Sequence, residues 1–170
     1  MMKLAKALVV SILLGSLFFV GSAPAASASN LSILRFDTMV GIPSALTGTQ
    51  SLAPLRGIPG GGLPWMLSEA NGSLTVDGRL KVEVQGLVLA AGPRAGTNPV
   101  ASFRAEVSCV KDDGTFDNIL TDTFPATTGP ASSGGGDAEI ETSVTLPQPC
   151  IAPIIFVTSP GGAWFAATGN

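Results

Sequence analysis

Chemistry needs side chains that donate, accept or attack, and this chain offers few. It has no histidine and no tyrosine. A Ser-His-Asp triad, a Cys-His dyad and a His-ligated zinc or copper site are therefore impossible. Its two cysteines are Cys109 and Cys150. In an exported chain an even pair reads as a disulfide, which would withdraw both thiols from nucleophilic work. The loop closed would be about 40 residues, worth roughly 4 kcal/mol in the chain-entropy model. The other reading is two separate buried thiols. Carboxylates remain, and two acids facing each other can hydrolyse a glycosidic bond. Glu69, Glu83, Glu106, Glu139 and Glu141 qualify by residue type. Most of them fall at outward positions of alternating strands, where a solvated face is the expectation.

The stretch GIPGGGLPW, residues 57 to 65, sets Gly60, Gly61 and Gly62 ahead of Trp65. A phosphate-cradling loop needs its glycines between a strand and a helix N-terminus, followed by Lys and Ser or Thr. Here Leu63 and Pro64 follow, and the next segment reads as strand. Two readings stand. In one, the glycines let the loop pass close to another backbone and Trp65 plugs the end of the core. In the other, Trp65 lies exposed beside a mobile loop and stacks on a ligand. SPGGAWF near the C-terminus repeats the arrangement around Trp164. If the only two tryptophans met at one end of the fold, they would form an aromatic platform for a ligand. The flanking Phe165 and alanines favour a core position for Trp164.

KDDGTFDN carries Asp112, Asp113, Asp117 and Asn118. Calcium takes six to eight oxygens in a spacing this segment lacks, and Asp113-Gly114 suffices as a turn. A solvated hairpin turn is expected there, and no metal or cofactor. Asn30-Leu31-Ser32 and Asn71-Gly72-Ser73 match the glycosylation acceptor pattern.

The elements that must position these groups are strands, because period-two alternation dominates. In RLKVEVQ, Leu80, Val82 and Val84 point one way and Arg79, Lys81, Glu83 and Gln85 the other. Leu74 and Val76 mark a strand before it. Asp77-Gly78 predicts a two-residue hairpin between the two, since Gly tolerates positive φ. Asn71-Gly72 reads as a second turn or a bulge. ASFRAEVSCV turns Phe103, Ala105, Val107 and Cys109 inward, and ILTDTF reads as its return strand. TTGPASSGGGD reads as a flexible loop, and AEIETSVTL turns Ile140, Val144 and Leu146 inward. CIAPIIFV has the composition of a strand covered on both faces. Its Pro153 implies an edge position or a bulge. AWFAAT closes the chain, and Leu34, Phe36 and Val40 mark a first strand. The whole predicts an all-β fold, a single antiparallel β-sandwich of about eight or nine strands.

The N-terminus reads as a processing signal. Lys3 and Lys6 precede an apolar run from Ala7 to Val20, and Ala26-Ser27-Ala28 fits signal-peptidase cleavage after Ala28. An uncleaved signal anchor is the other reading. Cleavage would leave 142 of the 170 residues as one domain, from 29 to 170. Seven basic residues against twelve acidic then give a net charge of −5. No basic cluster appears, so nucleic acid and anionic lipid headgroups are poor partners. No later segment reaches the ~20 apolar residues of a membrane span.

LRGIPGGGLPW, GSLTVDGRLKVEVQGLVL and CIAPIIFVTSPGGAWFA together resemble a group of small uncharacterised exported bacterial β-proteins. That resemblance implies secretion and one β domain, and no activity. TVDGRLKVEVQGL is also similar to a hairpin of extracellular CHRD-type domains, from which no site residues carry over. The expectation is a secreted, non-catalytic binding or structural module for an unidentified extracellular ligand or protein. Its contact surface would be Trp65 with Gly60, Gly61 and Gly62, joined by Trp164. A self-assembling surface or matrix protein and a carboxylate hydrolase of extracellular polymer are the alternatives.

Overall fold

The computed structural model describes residues 31–47 and 54–169. The expected leader, the Ala28 cleavage site and the Asn30 acceptor lie outside them. The described chain is built from strands, with two short 3-10 turns and no helix long and apolar enough to cross a membrane.

Two sheets carry most of it. One has four strands, β1 (Ser32–Phe36), β4 (Glu69–Thr75), β5 (Arg79–Gln85) and β12 (Ala138–Ser143), in the order β1-β4-β5-β12. The other has β10 (Phe124–Pro125), β8 (Ser102–Val110), β13 (Ile151–Thr158), β14 (Trp164–Thr168) and β2 (Met39–Gly41) in that order. In this second sheet β9 (Phe116–Leu120) lies against β8 as the sixth strand. β3 (Trp65–Met66) pairs with β6 (Val88–Leu89), and β7 (Thr97–Asn98) with β11 (Gly129–Pro130). All of this pairing is antiparallel. Fourteen strands are thus present among the described residues where the alternation predicts eight or nine; five of the fourteen have two residues, too few for a periodic signal.

Alternation places the core. Leu74, Leu80, Val82, Val84 and Ile140 of the four-stranded sheet and Phe103, Ala105, Val107, Ile155 and Val157 of the six-stranded sheet belong to one buried cluster. Cys109 and Cys150 form the expected disulfide, with Cα atoms 4.9 Å apart. It ties β8 to the residue before β13, so it lies within one sheet rather than between the two.

Several expected elements differ in detail. The hairpin at Asp77-Gly78 has a three-residue loop, not two. Thr75 and Arg79 face each other, and Gly78 at φ 85° donates back to the Thr75 carbonyl at 2.9 Å. A type I turn followed by a left-handed glycine makes that geometry. Lys111 to Thr115 repeats the device, with Gly114 at φ 79° and Asp113 accepting from the Thr115 N–H at 2.9 Å. Asn71-Gly72 is neither turn nor bulge. β4 runs through it in unbroken register with β5, and Gly72 leaves space for the Phe36 ring from β1. The first strand is broken at Asp37-Thr38, so Leu34 and Phe36 pack on the core while Val40, in the other sheet, is 61% exposed. The return strand begins at Phe116 and is interrupted after Leu120. The glycine-rich loop contains β11, and Gly136 packs on the Leu87 backbone with no room for a Cβ.

Candidate functional site

Gly60, Gly61 and Gly62 divide by environment. A Cβ on Gly60 would collide with the Leu46 carbonyl and the Ile42 side chain, and one on Gly61 would press on the Phe165 ring at 3.0 Å. Gly62 has nothing within 4 Å. The loop is fastened to the start of β14: Trp164 N–H donates to Pro59 C=O and Gly61 N–H to Trp164 C=O, both at 2.9 Å. Close backbone approach is therefore what the first two glycines permit.

Of the two readings for the tryptophans, the geometry has the core one. Trp65 is 5% exposed, stacked on Phe165 at 4.0 Å and edge-on to Phe103 at 6.3 Å. Trp164 is 3% exposed and packs edge-on against Phe156 at 5.9 Å. The two indoles sit in separate aromatic groups, and neither offers a ring face to a ligand. Burying a large aromatic ring is worth more than leaving it in water, and both rings found partners.

The outward face of β8 is also closed. Phe156 lies opposite Glu106, so it shares that face. Ser108 is fully buried there, with no partner for its hydroxyl oxygen among the described residues. Glu106 is 8% exposed; burial raises its carboxyl above the ordinary value, and Arg104 pulls the other way more weakly. Arg56 spans this face. Its Nη1 donates to the Ser108 and Ala152 carbonyls, each at 2.9 Å, and its guanidinium lies 5.5 Å from the Phe116 ring centre. The reason is local to β13. Pro153 brings no N–H, and the register with β8 shifts between Ile151 and Ile154. That is the bulge its proline implied, in a central strand. Arg56 supplies the donor that the ladder lacks. No pattern around Arg56 announces a contact 52 residues away.

The four-stranded sheet is open on its outer side. Arg35, Ser73, Lys81 and Glu141 lie in one row across β1, β4, β5 and β12. Thr75, Arg79 and Ser143 lie beside them, and together these residues border a shallow groove of about 560 Å³. Arg79 pairs with Asp77 at 3.2 Å and Lys81 with Glu139 at 2.9 Å, a contact that raises the Lys81 pKa. Arg35 forms no ion pair among the described residues. Exposed pairs of this kind contribute little, because water and salt screen them. An incoming anion can therefore exchange with them at small cost.

Two carboxylates do face each other: Glu83 and Glu139 are directly opposite on β5 and β12, above a depression that Asp137 also borders. Each is already engaged, Glu139 with Lys81, Glu83 with the Asn71 amide at 3.5 Å, and Asp137 with the Gly86 N–H at 2.8 Å. Glu69 and Glu141 are exposed on the same sheet, and Glu106 is the one glutamate of the other. Asn71 is exposed within β4. No family model, no curated protein and no solved structure matches this chain.

Proposed function

We propose that this is an exported, non-catalytic binding module, a single β-sandwich in which the outer side of the four-stranded sheet is the contact surface. The observation that carries the reading is the groove bordered by Arg35, Arg79 and Lys81 among the hydroxyls of Ser73, Thr75 and Ser143, three cations against the one carboxylate of Glu141. Cations interleaved with hydroxyls match a hydroxyl-rich chain that bears carboxylate or sulfate groups, so an acidic extracellular glycan is the ligand class. The groove is wide and shallow, as a surface for a polymer must be, and its charges lie on strands that hold them in register. The paired cysteines and the chain's N-terminal pattern support an oxidising, extracytoplasmic location.

Thermal unfolding of the processed, oxidised protein against soluble uronate and sulfated oligosaccharides tests this. A ligand at a hundred times its Kd adds about 2.7 kcal/mol, which raises Tm by several degrees in a domain of this size. The double variant Arg35→Ala, Lys81→Ala should lose that rise while unfolding at the same temperature as the parent without ligand. A rise that survives both changes places the ligand elsewhere. A flat response to the whole panel removes the glycan reading.

A further inference from the structure

The six-stranded sheet ends in a strand with one side unused. β9 meets β8 through Thr115, Asp117, Ile119 and Thr121, as shown by Lys111 N–H to Thr115 C=O and Thr121 N–H to Ala105 C=O, both at 2.9 Å. Antiparallel ladders alternate, so the N–H and C=O groups of Phe116, Asn118 and Leu120 point away from β8. Among the described residues nothing bonds to them. The side chains of Phe116 and Leu120 are 48% and 36% exposed. The one charge on the strand, Asp117, lies on the opposite face.

Unused edges are hazards that proteins blunt, and the other edges of this fold are blunted. β1 is bulged between Ser32 and Leu34, and the Ser32 hydroxyl occupies the Leu34 carbonyl. β12 is met by Ala126 at its first residue, Ala138, and carries the exposed charges of Glu139 and Glu141 along the rest. β2 has three residues, and β10 has two, the second a proline. β9 is regular and five residues long; Arg56 meets it from one face, with its guanidinium near the Phe116 ring and its carbonyl accepting from the Asn118 side-chain amide at 3.0 Å, but no bulge, proline or short strand protects its free backbone edge.

We infer that β9 pairs with β9 of a second copy of this chain, antiparallel about Asn118, joining the two six-stranded sheets across a two-fold axis. The sequence Phe116-Asp117-Asn118-Ile119-Leu120 is apolar at both ends with Asn in the middle. Laid on itself about Asn118, it sets Phe116 against Leu120 and Asn118 against Asn118, each pair exchanging two backbone hydrogen bonds. The groups that face outward are the ones this register uses. Asp117 then meets Ile119. Moving the centre to Asp117 sets carboxylate against carboxylate, and moving it to Ile119 sets Phe116 against Asp122. A shift of one residue brings inward-pointing groups to the edge. The two-fold about Asn118 is thus the register that pairs all five residues of the strand, joining apolar to apolar without opposing like charges. This pairing uses the sheet opposite the proposed glycan surface and does not depend on it.

Sedimentation equilibrium of the processed, oxidised protein over a wide concentration range tests the pairing. The mass should rise to that of a dimer and stop there. Leu120→Lys, a change at an exposed site, should weaken association at least tenfold while the circular dichroism spectrum stays that of the parent. Asn118→Cys should be linked as a dimer by a short bifunctional thiol reagent, because opposed residues of a bonded pair lie about 5.5 Å apart. A mass that stays monomeric up to millimolar protein overturns the inference. So does a dimer that Leu120→Lys leaves intact, or an Asn118→Cys protein that stays unlinked while the wild type dimerises.

Discussion

The outward faces of β5 and β8 look alike in sequence and differ in the fold. RLKVEVQ and SFRAEVSCV both alternate polar with apolar residues, and both turn a glutamate outward between them. On β5 that alternation means what it suggests: Arg79, Lys81 and Gln85 stand in solvent. On β8 it does not, because Glu106 and Ser108 are buried. The difference comes from a segment remote in sequence. Residues 54–61 bring Arg56 across β8 and fasten the glycines beside Trp164. A strand's alternation reports which side meets the core; whether the other side meets water is decided by loops elsewhere. One face became architecture and the other stayed available for contact.

Substitutions that treat the two faces equally should show how unequal they are. The largest effect is expected at Phe156, fully buried against Trp164. Phe156→Ala should cost about 3–5 kcal/mol in denaturant unfolding, whereas Ser73→Ala on the open face should stay within about 0.5 kcal/mol. Equal costs would dissolve the comparison. Next comes Arg56→Ala, which strands the Ser108 and Ala152 carbonyls and should cost about 2–3 kcal/mol by the same measurement.

The glycine loop sharpens the contrast at finer scale. Gly60→Ala must displace the Leu46 backbone or the Ile42 side chain, an overpacking worth about 1–3 kcal/mol. Gly62→Ala, two residues on, meets empty space and should change the unfolding midpoint little. The smallest effect is a matter of slope. Burial raises the Glu106 pKa above its ordinary 4.5, so the folded state holds that proton to higher pH than the unfolded chain does. Stability from this group is greatest below the ordinary value. It falls as pH climbs through the window between that value and the raised one. Glu106→Gln should flatten that fall and leave the protein more stable than wild type at neutral pH. An unchanged slope in unfolding free energy against pH would show that water reaches the carboxyl.

Much of this molecule was legible in its residues. The all-β character, the Cys109–Cys150 link and the inward sets of β5 and β8 follow from alternation and cysteine count, which are local or nearly local signals. Pro153 announced a bulge because its missing N–H is a property of one residue. The ambiguous signals share a cause. Asn71-Gly72 resembles a turn in sequence, yet its glycine answers to Phe36 on a neighbouring strand. The glycines beside Trp65 resemble a ligand loop, yet two of them answer to Leu46, Ile42 and Phe165. Arg56 carries no local signal at all, since its partners lie on β8 and β13. Wherever a residue's role is fixed by what another segment brings to it, the pattern around that residue is silent.

Acrylamide quenching of the two tryptophans, in the folded and the denatured protein, tests most directly whether the aromatic part of the molecule is architecture and the contact surface lies elsewhere. Trp65 and Trp164 should both be shielded when folded, with quenching far weaker than after denaturation. Quenching of either indole in the native protein at close to the denatured rate would contradict the account and return the glycine loop to the candidate binding surfaces.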